Sequence, residues 1–221
     1  MLANEYTTLF KTYLSKTIAV DACVSPDNAE FAYAEVNNSG TTIQSNIKII
    51  SIKDVKEKNT EPKYEYNAVQ GSLILRIKYQ DKSRLICMYD DSIHKFETGV
   101  DVELTKLNED NPKITFADIE LSNYVFRTYE KSTSLFSADT IIEMQNTSNG
   151  KENVYTIEEV AKSVVSNNNV IAVNLGNEVY FVETNAWLIK RYSSSQVIEK
   201  IILGDGVAGI IYSDKIEIVN L

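Results

Sequence analysis

One histidine, two cysteines and a scatter of acids and hydroxyls make up the reactive inventory of this chain. His94 is the sole imidazole, so a zinc site built on several histidines is excluded, and no CxxC or HExxH spacing occurs. A serine, a histidine and an acid can still meet in space from any order in the sequence, but no GxSxG elbow marks a nucleophile. His94 stands beside Lys95 in a strand-like run, where a solvated or hydrogen-bonded ring is the plain reading. Cys23 and Cys87 lie in the apolar runs AVDACV and RLICMY. Thiols there act as small buried hydrophobes; a Cys23–Cys87 bridge is the alternative, and two cysteines do not make a disulfide framework. The densest oxygen clusters are Asp90-Asp91, Glu109-Asp110 and Asp205-Gly206. None continues into a calcium loop, and paired acids at such places read as turn residues. GDGVAG at 204–209 has the glycines of a phosphate loop, yet strand residues follow it where a helix would be needed. The sequence therefore assigns no catalytic, cofactor-binding or metal-binding residue and implies no cofactor.

The charge narrows the partners. With 22 basic and 31 acidic residues the formal net charge is -9, which repels nucleic-acid phosphates, and no Lys/Arg cluster offsets it locally. Anionic headgroups are equally unsuitable. The N-terminus, MLANEYTTLFKTYLSK, has no basic start followed by an apolar block. No run approaches the ~18 apolar residues of a bilayer span, so the chain as given is expected to be soluble and to make no membrane contact of its own. At 221 residues and 43% hydrophobic content it can bury a core without staples.

The elements that must position these residues are strands. Short runs of β-branched and aromatic residues are broken throughout by Asn, Asp, Ser and Gly. Strands are expected at Thr8–Tyr13, Ile18–Val24, Glu30–Val36, Asn46–Ile52 and onward to Lys215–Asn220; helical periodicity tempts only in the first ~14 residues and around Ile157–Ser163. MYDDSIHKF (88–96), NLGNEVYFV (174–182) and IYSDKIEIV (211–219) repeat one pattern: a strand end, a two-residue polar turn and an alternating strand. Tight polar corners at 24–31, 78–85, 119–126, 164–171 and 203–210 recur at spacings of roughly 37 to 54 residues, the range of four-stranded propeller blades. The expected fold is all-β: a β-propeller-like, WD-repeat-like array of about five four-stranded antiparallel blades in an open or partial ring, with a β-sandwich as the alternative. The blades fall at 17–69, 70–108, 112–159, 160–194 and 196–221 of one domain, with 8–13 an extra edge strand. The last blade ends one strand short.

Four segments carry a resemblance: VDACVSPDNAEFAYAEVNNSGTTIQSNIKIISI, IKYQDKSRLICMYDDSIHKF, FSADTIIEMQNTSNGKENVYTIEEVA and DKIEIVNL. With these the chain resembles, from Leu9 onward, an uncharacterised propeller-like family of clostridial and related Gram-positive bacteria. Members of that family look like single-pass membrane proteins with an extracytoplasmic propeller. The resemblance implies fold and an extracytoplasmic, membrane-anchored setting, and brings no catalytic motif. The chain departs from the family at its start, where spanning helix and first blades are absent.

Propellers place function in loops held by a rigid scaffold. Here polar variability concentrates in loops such as 37–46, 108–112 and 130–139. A non-catalytic binding or scaffold module is expected, with an unidentified protein, peptide or glycan as ligand and self-association through exposed blade faces. Scattered tyrosines and Trp187 suit interstrand packing first and ligand contact second. The rival is a glycan-active or other hydrolytic enzyme with carboxylates at the propeller mouth.

Overall fold

The computed structural model describes residues 8–14, 16–37, 41–67, 71–108 and 113–221. Two compact units divide at Glu103/Leu104. The first unit holds β1 (Thr17–Val24), β2 (Glu30–Asn37), β3 (Ser45–Ser51) and β4 (Tyr64–Asn67), hydrogen-bonded in that order. A second sheet follows with β5 (Ile74–Tyr79), β6 (Arg84–Tyr89), β7 (Ser92–Glu97) and β8 (Val100–Lys106), the last crossing the division. In the second unit β9 (Ile114–Asp118), β10 (Tyr124–Ser132), β11 (Ala138–Asn146) and β12 (Glu152–Ile157) form one sheet. Next come β13 (Ser163–Asn167), β14 (Val170–Asn174), β15 (Glu178–Glu183) and β16 (Leu188–Ser193), then the three-stranded β17 (Lys200–Leu203), β18 (Val207–Ile211) and β19 (Ile216–Asn220). Every sheet is an up-and-down meander in sequence order, the plan of a propeller blade, without the long Greek-key returns of a sandwich.

Sheets within a unit stack through apolar faces. Ala32, Ala34, Ile47 and Ile49 of the first sheet meet Ile77, Leu85, Cys87 and Phe96 of the second. In the second unit Ile142 and Met144 pack with Ile171 and Val173, while Ala172 and Phe181 pack with Ile201 and Ile210. Small residues on β2 allow this close approach, which explains why both faces of that strand read as apolar.

Polar side chains tie neighbouring first strands together. Asp21, at a register shift in β1, accepts hydrogen bonds from its own neighbour's amide, Ala22 N (2.8 Å), and from Ile77 N of β5 (2.9 Å). Asp118 of β9 repeats the device with Ile119 N (2.8 Å) and Ser166 Oγ of β13 (2.9 Å). Asn167 Nδ2 donates to Leu203 O of β17 at 3.1 Å. A second recurrent device clips the link into the next sheet. Buried Ser45 donates to Ser72 O and accepts from Ile74 N; buried Thr140 donates to Glu159 O and accepts from Ala161 N. Asn174, the one polar residue of β14, does the same work by donating to Ile198 O and accepting from Gly176 N.

Two expectations are corrected. Thr8–Tyr13 forms no strand: Phe10 lies across the sheet face, 6.2 Å from the Phe31 ring and 6.5 Å from Tyr33, so the segment covers side chains and does not pair along an edge. Ile52 belongs to a one-turn helix, α1 (Ile52–Lys56), and not to the preceding strand. Ser51 caps it by accepting from Asp54 N, and Val55 supplies its buried contact. Residues 158–162, where helical periodicity tempted, are a non-helical link.

Candidate functional site

His94 is the centre of a polar cleft of about 220 Å³ in the first unit. β7 places Ser92 and His94 two residues apart, hence on one face, and β8 brings Asp101 alongside. His94 Nδ1 lies 2.7 Å from Asp101 Oδ1 and Nε2 lies 3.1 Å from Ser92 Oγ. The ring is wedged edge-on against Tyr89 at 5.1 Å and lies near-parallel to Phe96 at 6.2 Å. The spatial Ser–His–Asp meeting that sequence order could neither supply nor rule out is present. Its wiring differs from that of an acyl-transfer triad, in which serine donates to the imidazole. Here Ser92 Oγ also donates to Asp91 Oδ1 at 2.8 Å, so this carboxylate competes with the imidazole for the serine's single proton. The cluster is a clasp between β7 and β8.

Asp91 Oδ2 accepts from Ser72 Oγ (2.8 Å) and Asp90 Oδ1 from Leu73 N (2.8 Å). This acid pair thus holds the β6–β7 turn against the link into β5, as its turn reading implies. Asp205-Gly206 makes the β17–β18 turn, closed by Gly204 N to Val207 O at 2.9 Å. Glu109-Asp110 lies outside the described residues. Among the described residues no group of three or more His, Cys, Asp or Glu side chains could hold a metal ion. Cys23 and Cys87 are free thiols against one apolar cluster.

Two apolar features have no counterpart in the sequence reading. The first is an arm. The β10–β11 hairpin runs on past its pairing with β9 (Phe126–Tyr129) and β12 (from Thr140) and ends in Leu135 and Phe136, 94% and 97% exposed. The tip is ordered: Thr133 N donates to Ser137 O (3.0 Å), Phe136 N to Ser134 Oγ (3.3 Å), and the Ser134 and Ser137 hydroxyls meet at 2.6 Å. The signal for it was an adjacent Leu-Phe pair inside a run of serines and threonines. The second is an open cleft of about 220 Å³ in the first unit, between the Leu9–Phe10 segment and the sheet. Val24, Phe31, Ile50, Ile52 and Val55 complete a lining that is apolar among the described residues.

No family model matches the chain, and no curated protein matches it. Solved structures do. A prolyl endopeptidase structure aligns over 97% of this chain and 34% of its own at a TM-score of 0.60 and 14% identity. The β-propeller domain of the trilobed protease from Pyrococcus furiosus, of open velcro topology, aligns over 90% of this chain and 67% of its own at 0.56 and 11% identity. Sqt1 from Chaetomium thermophilum aligns over 93% and 59% at 0.52 and 8% identity. The chain thus spans about a third of the endopeptidase and under two thirds of Sqt1. At such identities the likeness establishes the fold, which is β-propeller-like; the sandwich alternative falls.

Proposed function

We propose that the chain is a non-catalytic binding module whose contact element is the β10–β11 arm. One observation carries this reading: a hydrogen-bonded tip holds a leucine and a phenylalanine almost wholly in solvent. Folding gains nothing from that exposure, since the apolar area stays wet. A pre-ordered tip, in contrast, lowers the entropic cost of docking, and aromatic anchors dominate binding energy at interfaces. The hydrogen bond from Ser92 Oγ to Asp91, which competes with the one to His94, supports the non-catalytic half of the proposal. The resemblance to Gram-positive propeller-like proteins supports an extracytoplasmic setting beside a membrane. Among the described residues no helix is long and apolar enough to cross one.

The test is a pair of measurements. Replacing Leu135 and Phe136 together by serine should leave the urea midpoint within the ~0.5 kcal/mol expected of a surface change; a loss of 2 kcal/mol or more on the same scale would make the tip a folding element and sink the binding reading. A serine-directed fluorophosphonate probe should label the protein no faster than the Ser92→Ala variant. Labelling confined to the wild type would restore the hydrolytic rival.

A further inference from the structure

We infer that His94 is a proton-driven switch that turns the Ser92 hydroxyl between Asp91 and the imidazole. The geometry sets up the competition. Ser92 Oγ lies 2.8 Å from Asp91 Oδ1 and 3.1 Å from His94 Nε2, and its one proton serves one of them at a time. His94 Nδ1 lies 2.7 Å from Asp101 Oδ1. Only a charged ring, with a proton on each nitrogen, fills every contact at once. Nδ1–H then donates to Asp101, Nε2–H donates to Ser92 Oγ, and Ser92 donates to Asp91. Loss of one ring proton to solvent breaks that series at one place. The bond to an ionised acceptor is the stronger kind, so Asp101 keeps the Nδ1 proton and Nε2 gives up its own. If Ser92 then stayed with Asp91, the lone pairs of Nε2 and Oγ would face each other at 3.1 Å. If it turns, Nε2 gains a donor, and Asp91, half-buried on the cleft wall, takes its own from solvent.

The switch has a single trigger. Between about pH 5 and pH 8 an imidazole is the side chain whose ordinary titration changes its charge. The titratable groups around the ring are Asp91 of the β6–β7 turn, Asp101 and Glu103 of β8, and Cys87 and Tyr89 of β6. Burial raises both Cys87 and Tyr89, which keeps them neutral in that interval. Tyr66 of β4, packed on Phe96 at 4.4 Å, is raised by burial in the same way. On β7 itself Lys95 falls on the opposite face from His94 and pairs with Glu97 at 3.8 Å. The proton's effect reaches beyond the ring through Asp91. Its Oδ2 accepts from Ser72 Oγ at 2.8 Å, so this carboxylate holds the β6–β7 turn to the link before β5. With a charged ring the turn is held at both carboxylate oxygens. With a neutral ring it is held at one, and the other opens to the cleft.

NMR of the imidazole nitrogens and the side-chain carboxyl carbons, followed through the ordinary histidine range of about pH 5 to 8, tests the switch. In the wild type Nδ1 should keep its proton throughout while Nε2 loses its own, and the Asp91 carboxyl signal should move with the same midpoint as the ring. Ser92→Ala should remove most of the Asp91 movement and leave the ring titrating. His94→Gln retains a donor at the position but no titration, so Asp91 should then be flat over the range; this variant suffices if Ser92→Ala does not fold. A neutral ring protonated on Nε2, an Asp91 signal that ignores the ring, or a movement of undiminished size in either variant would each overturn the proposal. Fluorophosphonate labelling of Ser92 that appears only above the midpoint would overturn it as well, because the turned hydroxyl would then be a nucleophile.

Discussion

Cys87 is buried in β6, and Cys23 of β1 packs against the same apolar cluster. Burial pushes the Cys23 thiol up to about 12, with the nearby Asp21 carboxylate adding to the rise, and it raises Cys87 in the same direction. The thiolate is the nucleophile. At pH 8 an ordinary thiol near 8.5 is about a quarter ionised, whereas one near 12 is ionised to about one part in ten thousand. Iodoacetamide should therefore alkylate the native protein at least a hundredfold more slowly than the protein in guanidinium, a comparison that peptide mass mapping can follow site by site. Equal rates at Cys23 would show that β1 does not shield it. Burial also raises Tyr79 and Tyr89, and the hydrogen bond from Lys48 to Glu35 raises Lys48. All these groups hold their protons in the folded state at pH values where the unfolded chain releases them. Their contribution is complete below about pH 8.5 and is lost as pH climbs from there toward 12. The urea midpoint should accordingly fall between pH 8 and pH 10.5, and a rise over that interval would contradict the assigned directions.

The links between sheets depend on single buried hydroxyls or amides, and Thr140 is the clearest case. Its Oγ1 donates to Glu159 O at 2.7 Å and accepts from Ala161 N at 2.8 Å, so one side chain satisfies both ends of the turn into β13. Thr140→Val keeps the shape and removes both bonds, which strands the Ala161 amide, while Glu159 O keeps the hydrogen bond from the backbone N–H of residue 140 (3.1 Å). The cost should be roughly 1–3 kcal/mol by urea denaturation; a change below ~0.5 kcal/mol would mean that water replaces the clip. Such devices mark the boundary of what the residues disclose on their own. Strands were legible because short, continuously apolar runs such as RLICMY and VIAVN meet turn residues at both ends: β6 and β14 occupy Arg84–Tyr89 and Val170–Asn174, the expected spans. Thr8–Tyr13 misled because TLFKTY has strand composition, while pairing depends on an edge that composition does not specify. α1 was missed because one turn is too short for periodicity, although Ser51 three residues ahead of Asp54 is a capping signal. The clasp at His94 was out of reach, since the β7–β8 pairing decides which acid the ring meets. Asn174 was noticed as a lone polar residue in an apolar strand, and its purpose appeared only with the link it holds.

The whole chain carries nine more negative than positive charges, and salt acts on that excess and on its ion pairs in opposite senses. Screening weakens attraction between paired groups, which destabilises; it also weakens the mutual repulsion of the excess carboxylates, which stabilises. Distance decides the contest. Ion pairs such as Arg191–Glu178 (2.5 Å), Lys63–Glu30 (2.6 Å) and Arg127–Glu143 (2.9 Å) are contacts. The Debye length shrinks from about 30 Å at 0.01 M to about 10 Å at 0.1 M and still exceeds these separations at 1 M, where it is about 3 Å. Exposed pairs of this kind contribute little, so partial screening removes little. The Lys48–Glu35 pair at 2.7 Å is further protected because Glu35 is only 3% exposed. Repulsion among the surplus acids acts over longer distances and is largely extinguished within the same range of salt. Raising sodium chloride from 10 to 300 mM at pH 7 should therefore increase Tm by a few degrees, about 2–4 °C for each kcal/mol at this chain length. Chloride is the right anion for the experiment, since sulfate would strengthen apolar burial on its own account. A fall in Tm would show that the contact pairs, and not the nine surplus charges, set the electrostatic balance of the fold.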